Sequence, residues 1–223
     1  MKLIEIFNHL TYGELSQLNI GGSDVGEISE ANYPRVVSHV NLGLTALYKR
    51  FPLKQNRVTI ELVNGIFTYT LTAGDIHKVE AVYTEGGWEL GLNDEADIHA
   101  ISTPSATVLR VPPVIVLKAL DLDPKLITST LEVVYRANHP VINPELGTFD
   151  PYTYDIELPY SHLEPLLYYV ASRVNNPIGM VNEFNAGNNY AAKYEQACQL
   201  LEVKNLNVDQ GSQTDKLHKK GFV

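Results

Sequence analysis

Residues 32–71, NYPRVVSHVNLGLTALYKRFPLKQNRVTIELVNGIFTYTL, change period halfway along. In the first half Tyr33, Val37, Val40, Leu44, Leu47 and Phe51 recur at steps of four and three, the spacing of one face of an α-helix. Asn32 stands where an N-cap belongs, Pro34 falls in the first turn where a missing N–H does no harm, and Pro52 pushes Phe51 out of helical geometry. Gly43 costs roughly 1 kcal/mol relative to alanine in mid-helix, so its presence predicts a close helix approach. In the second half the period drops to two. Val58, Ile60 and Leu62 alternate on one arm, Phe67, Tyr69 and Leu71 on the other, and Asn64-Gly65 between them predicts a hairpin with a type I′ turn. The chain leaves helical for β structure near residue 55.

Outward toward the C-terminus the β pattern continues. KVEAVYT precedes Gly86-Gly87, WEL follows it, TVLRV precedes Pro112-Pro113, and LEVVYRA spans 131–137. EADIHAI is readable as helix or strand. Short strands without long helical periods between them predict a small antiparallel sandwich or barrel over 55–140. Residues 138–157 hold three prolines and no clean period, and read as a connection. Helical periodicity returns with Leu163, Leu166, Leu167, Val170 and Val174 after Ser161 as N-cap, stops at Asn175-Asn176-Pro177, and resumes over about 181–204. In that last helix Tyr190, Tyr194, Ala197, Cys198 and Leu201 share a face, and NAGNN is a point for a kink.

Toward the N-terminus, Leu3, Phe7 and Leu10 mark a short helix. Thr11 and Glu14 have the capping-box spacing to start another over GELSQL, ahead of the glycine-rich loop NIGGSDVGEISE. The expected fold class is therefore α+β: a helical bundle from the N- and C-terminal segments (1–54 and 141–206), an inserted β-domain (55–140), and an extension over 207–223.

Composition limits the function. With 44% hydrophobic and 19% charged residues the chain is expected to fold, and its net charge of −9 disfavours a general grip on phosphates. The N-terminus lacks a signal-peptide pattern and no window is long and apolar enough for a membrane span, so a soluble protein is expected. The one cysteine, Cys198, reads as a buried apolar group. Seven histidines are scattered without ligand spacing, and no C-x-x-C, H-E-x-x-H, P-loop or G-x-S-x-G occurs. Asp121 and Asp123 suit either a hard cation or a turn before Pro124, the turn being the simpler reading. No cofactor, metal or catalytic set is expected.

What remains is aromatic. Tyr160, Tyr168, Tyr169, Tyr190 and Tyr194 crowd the C-terminal helices, where tyrosine serves either core packing or a protein interface. The last eight residues carry Lys216, Lys219 and Lys220 and no acid, against the sign of the rest of the chain.

HLTYGELSQL, HVNLGLTALYKRFPLK, the inserted β-module, ELPYSHLEPLLYYVASRVNNP and NNYAAKYEQACQLLE together resemble virion proteins of tailed bacteriophages. The resemblance is to the head-to-tail adaptors, or connectors, that dock under the portal ring of short-tailed phages. It implies a homo-oligomeric ring, typically of twelve copies, between the portal protein and the tail tube or nozzle protein, with DNA passing through its channel. It places ring-wall contacts around 36–51 and 161–201, where Tyr168, Tyr169, Tyr190 and Tyr194 lie. Portal contacts would fall on 209–223, with Lys216, Leu217, Lys219, Lys220 and Phe222. The alternatives are another neck or tail-terminator protein, a β-domain that recognises glycan or a host receptor through Trp88 and Tyr83, and, last, a metal-dependent hydrolase built on Asp121 and Asp123.

Overall fold

The computed structural model describes residues 1–16, 28–118, 123–144, 149–175 and 181–204, with backbone only over 181–185. The chain is α+β and divides into two compact units, Met1–Leu53 with His139–Val223, and Lys54–Asn138.

Among the described residues the first unit holds four α-helices: α1 (Leu3–Tyr12), α2 (Tyr33–Arg50), and two more, Leu163–Asn175 and Val181–Val203, that follow the second unit in sequence. α2 forms where its period predicts. Val37, Val40, Leu44 and Leu47 are buried, and Phe51 ends the helix with extended φ and ψ of −110° and 141°. Its start differs from the expectation. Asn32 closes a 3₁₀ turn, Glu30–Asn32, and its side-chain amide donates to Ser29 Oγ, so it supplies no cap bond to α2. Ser161 likewise lies in a 3₁₀ turn, Tyr160–His162, with its hydroxyl 3.0 Å from His162 Nδ1. Thr11 caps nothing, because it lies inside α1. The chain turns after Tyr12, with Gly13 N–H bonded to His9 O and Leu15 N–H to Leu10 O, and no helix restarts over 13–16.

The connection is ordered against the start of the chain over its described residues. Met1 and Ile156 exchange backbone hydrogen bonds, Leu3 N–H donates to Tyr154 O, and Lys2 pairs with Asp155 at 2.8 Å. Asn41 on α2 holds the 141–144 segment with both amide atoms, donating to Ile142 O and accepting from Ile142 N–H. Ile142, Ile156 and Leu158 thereby join the core of α1 and α2.

Among the described residues the second unit carries seven strands and one short α-helix, α3 (Pro113–Val116). β1 (Gln55–Glu61), β7 (Thr130–Ala137), β3 (Ile76–Thr84) and β4 (Glu89–Leu90) form one sheet in that order; β2 (Thr68–Thr70), β6 (Val108–Arg110) and β5 (Ser102–Ser105) form another. Every strand pairing is antiparallel. Val82, Ile101, Leu109, Ile115, Leu131 and Val133 are fully buried in one core that both sheets share.

The expected hairpin at Asn64-Gly65 is absent. β1 pairs with β7 and β2 with β6, so the turn carries the chain from one sheet to the other. Gly65 has φ of +84° and Asn64 does not have positive φ, while Ile66 N–H bonds to Val63 O. A positive φ at the third position alone is a type II turn, not the type I′ turn that a two-residue hairpin needs. EADIHAI resolves as turns that end in an isolated bridge from Ile101 to Leu92.

Candidate functional site

The tyrosines on the helices after the connection, α4 (Leu163–Asn175) and α5 (Val181–Val203), form two ring pairs across the helix contact. Leu163, Leu166, Leu167, Val170 and Val174 give α4 a buried face that packs against α1 and α2, while its other side packs along α5. Gly43 lies where α2 meets α4. A Cβ there would stand 2.7 Å from Leu166 Cδ1 and 3.0 Å from Tyr169 Cδ1, so the close approach inferred from the sequence is real.

On the α5 side, neighbouring positions of α4 both point toward the partner helix. Tyr168 packs on Tyr190 with ring centroids 6.2 Å apart, and Tyr169 meets Tyr194 edge-on at 5.3 Å. All four rings are half-buried. Their hydroxyls and faces are also engaged. Tyr168 donates to Glu164 Oε1 at 2.8 Å, Tyr190 donates to the backbone carbonyl of Glu14 at 3.0 Å, Lys193 Nζ stands over both rings, and the Arg173 guanidinium lies 5.3 Å from Tyr169. The Glu164 hydrogen bond pushes the Tyr168 hydroxyl up to about 12, and burial raises Tyr190 and Tyr194. These upward shifts take the hydroxyls of Tyr168, Tyr190 and Tyr194 away from proton transfer near neutral pH.

The far end of α5 is tied to α2. Arg50 holds Glu195 and Glu202 with N···O distances of 2.7 Å each, which raises the arginine and lowers Glu202. Beneath this fork Cys198 is fully buried, and burial pushes its thiol up, away from the thiolate that a nucleophile needs. α5 runs unbroken through NAGNN, since Gly187 is helical and buried.

Asp123 accepts the Lys125 N–H at 3.0 Å, which is turn chemistry, and Asp121 lies outside the described residues. Among the described residues no group of three His, Cys, Asp or Glu could hold a metal. His162 is fully buried edge-on to Phe51, with burial lowering its pKa. Trp88 is 49% exposed, with Lys125 Nζ 4.3 Å from its ring. Among the described residues of the first unit, an open cleft of about 340 Å³ is lined by His9, Tyr12, Glu14 and Leu167, and another of about 320 Å³ by Pro34, Leu42, Val141 and Pro144. No helix among the described residues is long and apolar enough to cross a membrane. Lys216, Leu217, Lys219, Lys220 and Phe222 lie outside the described residues.

Sequence reasoning placed Tyr168, Tyr169, Tyr190 and Tyr194 on their helices but did not pair them, and Tyr160 lies, exposed, in the 3₁₀ turn ahead of α4. A spacing of four (Tyr190 and Tyr194) against adjacent positions (Tyr168 and Tyr169) is the signal that two rungs of one helix meet two neighbouring positions of the other. No protein-family model matches the chain, and no curated protein matches it.

Proposed function

We propose that this chain is a structural virion protein, a head-to-tail adaptor of a tailed bacteriophage that joins the portal to the tail and forms part of the DNA channel. The observation that carries this reading is the architecture. Segments from both ends of the sequence share one helical core, proposed as a bundle, and the antiparallel β unit, proposed as a small sandwich, is inserted between them. A chain of two compact units offers different surfaces to different neighbours, and a head-to-tail ring needs two unlike patches on each subunit. The acidic balance suits a conduit through which DNA slides without sticking. The aromatic cluster, with hydroxyls bonded and rings packed, is a rigid wall element and not a proton-transfer site.

The test is assembly. Mixed with portal rings encoded by the same genome, the full chain should convert them to a larger ring complex of fixed stoichiometry by native mass measurement. A chain that leaves portal rings unchanged at every concentration sinks the reading.

Exposed Trp88 with Lys125 over its ring favours a second reading, a β unit that binds glycan or a host receptor. Particles lacking 54–138 separate the two: an adaptor defect stops assembly, whereas a receptor defect leaves intact particles that do not adsorb.

A further inference from the structure

Among the described residues, the outer edge of β1 is the longest strand edge of the second unit without a strand beside it. The other edge strands are β4 with two residues, β2 with three, and β5 with four including Pro104. β1 has seven residues, no proline, and an uninterrupted register against β7. Native proteins cover, shorten or twist away edges of this length, because a row of free N–H and C=O groups recruits another strand.

The ladder shows which groups are free. Ala137 N–H bonds to Lys54 O at one end and Leu62 N–H to Ser129 O at the other, so the even-numbered residues of β1 bond inward to β7. Gln55, Arg57, Thr59 and Glu61 therefore aim their N–H and C=O away from the sheet. No strand among the described residues pairs with them. Arg57, Thr59 and Glu61 expose their side chains on one face, while Val58 and Ile60 are half-buried against the core on the other.

We infer that this edge pairs with the β1 edge of a second copy, antiparallel about a two-fold axis through Thr59. In that register Thr59 opposes Thr59 of the second copy, and Arg57 opposes Glu61 in both directions. The residues brought together are the ones whose backbone groups point outward, so the hydrogen bonds form without a slip. Each strand also sets Val58 beside Ile60 of the other copy, extending the apolar face. Opposite charges and threonine pairs at directly opposed positions are favourable, and like charges there are not. Shifting the register by two residues either way removes both charge pairs, and parallel pairing puts Arg57 beside Arg57. Arg57 already meets Glu132 of its own chain at 3.1 Å, on the same exposed face, and can hold both carboxylates.

The pairing does not rest on the adaptor reading. A two-fold interface closes on itself and does not propagate into a ring, so dimerisation and portal binding are separate measurements. Seven residues bury a small area, which places the dimer among weak contacts, with association on the order of 10–100 µM.

Sedimentation of the full chain across that range should show a reversible dimer. Thr59→Pro removes an outward N–H without touching the β7 ladder and should abolish it. Arg57→Glu and Glu61→Arg should each weaken dimerisation at least about tenfold, and the double reversal should restore it. Thr59→Cys should give a covalent dimer under mild oxidation, because directly opposed residues stand about 5.5 Å apart at Cα; Gln55→Cys should not. A chain that stays monomeric up to about 1 mM, far above that weak range, overturns the inference. So does a dimer unaffected by Thr59→Pro, or a double reversal that fails to restore association.

Discussion

The helical unit and the β unit complete themselves differently. α4 and α5 satisfy their backbones internally, so what is left to settle is side chains, and the tyrosine pairs, Lys193 and the Arg50 fork settle them within one chain. β1 has a packed inner face and a paired inner edge, yet its outer backbone edge depends on something outside the described residues. A helix surface can be finished by side-chain chemistry alone, whereas a sheet edge leaves backbone N–H and C=O groups to water, a cover or another strand.

The strongest way to break the comparison is to damage one core and watch the other. Phe51→Ala removes a fully buried ring, and should cost the helical unit about 3–5 kcal/mol while leaving β-unit unfolding in place. Leu109→Ala should do the reverse, at about 2–5 kcal/mol. Separate denaturation transitions, followed by Trp88 fluorescence for the β unit and helical ellipticity for the other, read both. If the two transitions move together in either variant, the units are energetically one.

A smaller effect sharpens the packing of α2 on α4. Gly43→Ala gains about 1 kcal/mol of helix propensity but forces the side chains of Leu166 and Tyr169 aside, at about 1–3 kcal/mol. A net loss near 1 kcal/mol in the denaturation midpoint is expected, and a stabilised variant would show that α4 yields freely.

The helical unit should also weaken in mild acid. Burial lowers the pKa of His162, and burial with Arg35 and Arg173 nearby lowers that of His39, so both favour the neutral ring in the folded state. The unfolded chain binds these protons first, near pH 6.5, so their stabilisation is complete above that value and is lost as pH falls toward the depressed folded values. Urea midpoints of the helical transition should drop between about pH 7.5 and 5.5, and His162→Gln should flatten the slope.

The smallest change expected is Tyr168→Phe. It removes an exposed hydrogen bond to Glu164 and keeps the ring contact with Tyr190, so the loss should stay below about 1 kcal/mol. Tyr168→Ala, which also deletes the ring, should cost clearly more.

The legible parts were local. The period of α2, its end at Phe51-Pro52, the buried face of α4 and the strands KVEAVYT and LEVVYRA follow from spacing, because side-chain period reports which face is buried whatever buries it. The misread parts depended on partners. Asn64-Gly65 has the composition of a hairpin turn, but Val58 and Ile60 on one side and Tyr69 on the other serve different sheets through β7 and β6, which arrive some forty to seventy residues later. β5 was missed because STPS lacks an apolar alternation, and α3 because one turn is too short to show a period.

The sequence alone determined the α+β class and the switch from period 3.6 to period 2 near residue 55, since each depends on neighbours within a few residues. Only the tertiary structure decided that Tyr168 and Tyr169 both turn to α5, that the two β arms separate into different sheets, and that no strand among the described residues covers the outer edge of β1. Each of these depends on which distant segment lies alongside, and that is set by the sum of many weak contacts that no local pattern encodes.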